Sequence, residues 1–215
     1  MEIKIINPKI GLDLDGVIAN FHQKLLEVYN QKYGANLTVQ DIDCELEKLG
    51  PDIYHKVIEI FNEPNWFLNL EPLPDAIALV TKFLDLEYLV TIVTAPARDL
   101  HGWINPASAA EKYVWLQKNL PFWSTNAIIT KHKEVVAVDI LIDDTGHNIV
   151  NWCREHPSGV GYLVDQSWNR SFKGLPKNAV RGPLSKVADF IEKYWCKERG
   201  NFIFRYDELS NDWPK

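Results

Sequence analysis

Four short runs along the chain are almost continuously apolar and rich in β-branched residues: KIGLDL (9–14), YLVTIV (88–93), VDILI (138–142) and VGYLV (160–164). A shorter run, AIIT (127–130), is a fifth candidate. Apolarity sustained over four to six residues is the pattern of a strand buried on both faces. Between the runs the pattern changes to helical spacing. PDAIALVTKFLDL (74–86) opens on Pro74-Asp75 and predicts a helix with Ile77, Val80 and Leu84 on one face. SAAEKYVWLQKNL (108–120) opens with Ser108 and Glu111 at capping-box spacing, and residues 146–155 and 184–195 fit two further helices. Strands alternating with helices of about a dozen residues predict an α/β domain built on a mainly parallel sheet.

One interval breaks this alternation. From Gly16 to Pro74 runs a stretch too long for a loop, with helical patterns in FHQKLLEVYNQKYG, closed by Gly34, and in ELEKLGPDIYHKVIEIF, with Thr38 and Asp41 as a cap. It predicts a small helical cap inserted after the first strand. The expected organisation is an α/β core over residues 1–19 and 75–195, a cap over 20–74, and a tail, 196–215, packing on the core. The tail is charged but carries Phe202, Phe204, Tyr206 and Trp213.

Composition narrows the class. The 215 residues are 46% hydrophobic and 24% charged, as in an ordinary globular protein with a real core. A net charge of −6 argues against binding polymeric nucleic acid, yet leaves room for a local positive site holding a small phosphate ester. Cys44, Cys153 and Cys196 are too scattered for a disulfide framework or zinc site, and no apolar run approaches membrane-spanning length. A cytoplasmic location is the expectation, with no membrane partner; homodimerisation is left open. The six histidines show no metal-ligand spacing.

Ligands of a parallel α/β sheet bind beyond the carboxyl ends of its strands, so the residues ending each run carry the candidate chemistry. The first run ends in Asp13-Leu14-Asp15-Gly16, the second in Thr94-Ala95-Pro96. Lys131-His132-Lys133 follows the short run, and Asp143-Asp144 closes the next. In extended backbone, positions i and i+2 share a face, so Asp13 and Asp15 would project together. Crowded carboxylates repel and call for a metal or a shared proton; with Asp143 they form an oxygen-rich site suited to Mg2+. Each feature alone has a plain structural reading, as a strand end, a turn or a surface lysine. Their co-occurrence in the order D-x-D-G, Thr, Lys, D-D is what points to function.

That order resembles the haloacid dehalogenase-like phosphohydrolase superfamily, carried by DLDGV, IVTAP, the lysine before the fourth strand, and ILIDD. Within it the chain is similar to the 5'(3')-deoxyribonucleotidase family, through LDLDGVIANF, NWFLNLEPLPDAIALV, EKYVWL, KEVVAVDILIDD and, more loosely, YLVDQSWNR. The resemblance implies a Rossmann-like core and a phosphomonoester hydrolase of deoxyribonucleoside monophosphates. It implies Asp13 as nucleophile, Asp15 as proton donor and acceptor, Thr94 and Lys133 on the phosphoryl oxygens, and Mg2+ held by Asp13, the Asp15 carbonyl and Asp143. Asp144 is implied in support of the metal site and Lys112 at the phosphate, with the plain alternative of an exposed helix lysine. Ala95 stands at the phosphate where many relatives carry a second hydroxyl. Phe21, Trp66 and Phe67 match aromatic positions around a nucleobase, where stacking is worth ~1–3 kcal/mol per base. The loop 98–108 looks long for the family and offers Arg98 or Trp103 to the site. Other readings stay open: a phosphatase for another small ester such as a sugar phosphate, a phospho-accepting receiver module, or a binding scaffold without turnover.

Overall fold

The computed structural model describes residues 7–41, 49–198 and 201–204, with side chains described up to Lys193. Six parallel strands form the central sheet: β1 (Lys9–Leu12), β2 (Leu89–Thr94), β3 (Ala127–Ile129), β4 (Ile140–Asp143), β5 (Val160–Val164) and β6 (Ala179–Gly182). Their order is β3-β2-β1-β4-β5-β6. The chain builds one half outward from β1, then returns to its other side at β4. Such a reversal opens a crevice at the carboxyl ends of β1 and β4, where open α/β sheets take their ligands.

Both faces of the sheet are covered, which is why its strands read as unbroken apolar runs. Ile140, Ile142, Tyr162 and Val164 point into the larger core cluster, while Leu141 and Leu163 join Ile149, Trp152 and Cys153 on the opposite face. The α/β, Rossmann-like class expected from the sequence is therefore observed. β6 escaped the sequence pattern: it is a short edge strand of alternating burial that includes Arg181.

The helices are α1 (Phe21–Tyr33), α2 (Pro51–Phe61), α3 (Pro74–Asp85), α4 (Pro106–Asn119), α5 (Gly146–Glu155) and α6 (Val187–Tyr194). Gly34, with φ 63°, ends α1 and donates its N–H to the Asn30 carbonyl. α2 starts at Pro51, a residue suited to the first helical position; the part of its expected helix in residues 45–48 lies outside the described residues. Two expectations are corrected. On α3 the buried face is Ala76, Leu79, Val80 and Phe83, with Ile77 and Leu84 left 38% exposed. The stripe is rotated toward Phe83, whose ring lies fully inside the core. On α4 the helix begins two residues earlier than expected, capped by the Asn105 side chain, which accepts from the Ala107 N–H. Ser108 and Glu111 are thereby released from capping and bond to other segments.

α6 runs directly into β7 (Trp195–Glu198), which pairs antiparallel with β8 (Asn201–Phe204). Packing of the tail through Phe202, Phe204, Tyr206 and Trp213 falls outside the described side chains, as do Cys44 and Cys196. No helix among the described residues is long and apolar enough to cross a membrane.

Candidate active site

The carboxyl ends of β1 and β4 are locked together one residue beyond β1, where the Asp13 N–H donates to the Ile142 carbonyl at 2.9 Å. That bond sets Asp13 beside Asp143, the last residue of β4. Lys133, from a short turn between β3 and β4, puts its Nζ 2.7 Å from Asp13 Oδ1 and 2.7 Å from Asp143 Oδ2. Asp143 Oδ1 also accepts from the Thr145 N–H, and both its oxygens accept from Asn148 Nδ2. Asp13, Asp143 and Asp144 are all buried and each offers an oxygen within 4.8 Å of the others'.

Crowding three carboxylates in a dry site has an electrostatic cost. Burial pushes the Asp13 carboxyl up to about 7 against the lowering pull of Lys133, with Asp143 and Asp15 adding to the rise. Burial, then Asp143 and Asp13, likewise hold Asp144 well above the usual carboxylate range. Burial also works against the Lys133 ammonium, but Asp13 and Asp143 together outweigh it and raise its proton affinity. One ammonium does not fully compensate three buried acids, and an oxygen donor set with charge to spare fits a hard divalent cation.

Asp15 reaches the site by a different route from the one its spacing implied. β1 ends at Leu12, and Gly16, with φ 76°, turns the chain immediately after Asp15. Both aspartates still line one cavity of about 240 Å³. Asp15 pairs through Oδ2 with Lys112 Nζ, whereas its buried Oδ1 has no hydrogen-bond partner among the described residues. Lys112 is 2% exposed, which excludes the surface-lysine reading. Besides Asp15 its ammonium donates to Thr94 Oγ at 3.1 Å and to the Ala95 carbonyl at 2.5 Å, and it lies 4.7 Å from the Phe67 ring centre. Thr94 is fully buried at the end of β2, and Ala95 lines the cavity.

The cavity's other wall is aromatic. Phe21 and Phe67 line it, as the sequence led us to expect, but Trp66 does not. The Trp66 ring is 4% exposed and packs among Phe21, Phe61 and Phe67, so its bulk supports the wall from behind. α2 contributes Tyr54, Ile58 and Phe61, which the sequence reading missed. Their spacing of four and three residues is a helical stripe, a signal that was present in the sequence. Arg98 and Lys131 also line the cavity, whereas Trp103 is 74% exposed. Glu111 on α4 secures this wall by accepting from the Asn65 and Phe67 N–H groups at 2.8 and 3.0 Å. Ser108 accepts from the Ala97 N–H at 3.0 Å, fixing the segment after β2. His22 is a further cavity residue that the sequence did not mark; burial lowers it to about 3, so its imidazole is neutral.

The chain is similar to known proteins. Residues 7–181 match the family model described as "5' nucleotidase, deoxy (Pyrimidine), cytosolic type C protein". The human cytosolic 5'(3')-deoxyribonucleotidase is 31% identical over 176 residues, 75% of this chain and 82% of that protein. The 5'(3')-deoxyribonucleotidase of Clostridium acetobutylicum is 29% identical over 167 residues, 76% of this chain and 85% of its own length. Among solved structures, a haloacid dehalogenase-like hydrolase from Burkholderia xenovorans aligns with a TM-score of 0.51 at 12% identity, over 89% of this chain and all of that one. The last shows the fold; the first two, with the family model, remove the receiver-module and scaffold readings. The chain belongs to the 5'(3')-deoxyribonucleotidase family, and is a phosphoric monoester hydrolase of nucleotides.

Proposed function

We propose that the protein is a Mg2+-dependent 5'-nucleotidase of deoxyribonucleoside monophosphates that works through an aspartyl-phosphate on Asp13. The observation that supports this most is the placing of Asp13, charge-paired with Lys133, in the same cavity as an Asp15 whose Oδ1 has no partner among the described residues. An Asp13 oxygen attacks phosphorus while the bond to the ester oxygen breaks, and Asp15 delivers its proton to that departing oxygen, which leaves as the nucleoside hydroxyl. Asp15, now a carboxylate, takes a proton from water as the water oxygen attacks phosphorus and the Asp13–phosphorus bond breaks. Phosphate leaves, and both aspartates return to their starting states. Lys133 offsets charge on the phosphoryl group, while Lys112 holds Asp15 and Thr94 in register. Asp13, Asp143 and the Asp15 carbonyl would hold Mg2+, with Asp144 alongside, and the bound ion would supply positive charge that lets a phosphate dianion approach a carboxylate.

Residues 20–74 are, on this reading, a cap over the cavity, contributing Phe21, Phe61 and Phe67 as a base-stacking wall. Such a wall favours a nucleotide over a sugar phosphate, because sugars lack a π-face to stack. The test is phosphate release across a panel of deoxyribo- and ribonucleoside monophosphates, 3'- and 5'-esters, and sugar phosphates. Deoxyribonucleoside 5'-monophosphates should be the preferred substrates with Mg2+, and EDTA should abolish the activity. A preference for sugar phosphates would overturn the substrate assignment, and full activity in EDTA the metal dependence.

A further inference from the structure

The loop after β5 is tied to Gly16 and Asp144 by three separate side chains, none of which the chemistry above uses. Gln166 Nε2 donates to the Gly16 carbonyl at 3.0 Å. Trp168 Nε1 donates to Asp144 Oδ2 at 2.8 Å. Asn169, fully buried, donates from Nδ2 to the Asp144 and Val164 carbonyls, each at 2.7 Å. Arg181 on β6 holds the loop in turn, reaching Asn169 Oδ1 at 2.9 Å and the Phe172 carbonyl at 3.0 Å. The face of the Trp168 indole is covered by the His22 ring, with centroids 3.9 Å apart and planes 18° from parallel.

The partners of the three acids differ in kind. Asp13 and Asp143 share the Lys133 ammonium, whereas Asp144 takes the Trp168 N–H and, at 3.4 Å, the Thr145 hydroxyl. His22 Nδ1 lies 3.9 Å from Asp144 Oδ2, beyond hydrogen-bond distance. An indole N–H can only donate, so it fixes a carboxylate's orientation without cancelling its charge or competing for a metal. Gly16 makes the room for this: a side chain there would run into the Asp144 carboxylate.

We propose that Trp168 is a positioning residue that orients the Asp144 carboxylate toward a divalent cation shared with Asp13 and Asp143. Outer hydrogen bonds of this kind aim ligand oxygens, and losing one typically weakens metal affinity about 10- to 100-fold. The inference rests on the metal-dependent reading given above, and the experiment separates the two.

Mg2+ alone is titrated into the purified protein by calorimetry, with the melting temperature followed in parallel. Wild type should bind Mg2+ and melt higher with it; absence of binding would overturn the metal-dependent reading and this inference with it. Trp168→Phe keeps an aromatic ring against His22 but loses the donor. It should bind Mg2+ about 10- to 100-fold more weakly, while the metal-free variant still folds cooperatively with a melting temperature lowered by the lost hydrogen bond and ring volume. Wild-type affinity in Trp168→Phe overturns the role of Trp168 alone, as does a lowered metal-free melting temperature with affinity unchanged. Should that variant not fold, the indole 15N–1H spectrum of wild type gives an independent readout. The indole resonance with cross-peaks to the His22 ring should shift on adding Mg2+; a stationary peak under saturating Mg2+ overturns the assignment.

Discussion

Asp13 and Lys133 show how a single residue's environment sets both reactivity and stability. A carboxylate pushed up to about 7 by burial holds its proton where the unfolded chain has released it, near pH 4. Between these values the native state binds more protons than the unfolded state, so Asp13 contributes stability at low pH that is lost as pH rises through about 7. His22, lowered by burial, works in the opposite sense, so the effect is isolated by comparison with Asp13→Asn, which removes the titrating group. The metal-free wild type should lose melting temperature relative to Asp13→Asn as pH rises from about 4 to 7. A difference that is flat or of opposite sign over that range would show that Asp13 is not held protonated by its surroundings. Asp13, Asp15, Thr94, Lys133 and Asp143 were legible in the sequence because each follows a strand-like run, and strand ends converge in this class of sheet. His22 and Trp168 had no such flag, and Lys112 was marked at the phosphate through the family resemblance alone: its bond to Asp15 spans 97 positions, and only folding brings the two together.

At the scale of elements, α4 links the acidic site to the aromatic wall. One turn of it carries Glu111, which holds the Asn65 and Phe67 backbone, and Lys112, which holds Asp15. Asn65 sits at φ 64°, a left-handed conformation uncommon for a residue other than glycine, so its anchoring has a backbone conformation to maintain. Glu111→Ala should cost about 1–3 kcal/mol in urea denaturation, because two N–H groups lose their acceptor. It should raise KM more than it lowers kcat as the Phe67 wall loosens; unchanged stability together with unchanged KM would show that the wall is held by packing alone. The sequence placed α3, α5 and five of six strands closely, since continuous or periodic apolarity survives without knowledge of neighbours. It misassigned the cap of α4 because Ser108 and Glu111 satisfy capping-box spacing, yet Asn105 and Pro106 make a better start and tertiary partners claim the other two. The rotated face of α3 has a similar cause: several rotations satisfy a rich apolar pattern, and packing selects among them.

For the whole molecule, an acidic chain of net charge −6 must still receive a phosphate dianion. It does so locally, with Arg98 and Lys131 lining the cavity together with Lys112 and Lys133. The sheet fixes the carboxyl ends of β1, β2 and β4 relative to one another, and α1 and α2 follow directly from β1 to supply the aromatic side. Strand order made the convergence of Asp13, Lys133 and Asp143 foreseeable, while the shape of the wall depended on how α2 lies against α1. The most direct measurement is steady-state phosphate release from a deoxyribonucleoside 5'-monophosphate with saturating Mg2+, comparing wild type with Asp13→Asn of confirmed native melting. Wild type should turn over and Asp13→Asn should fall to the no-enzyme background. Turnover by a folded Asp13→Asn at the wild-type rate would contradict covalent catalysis by Asp13.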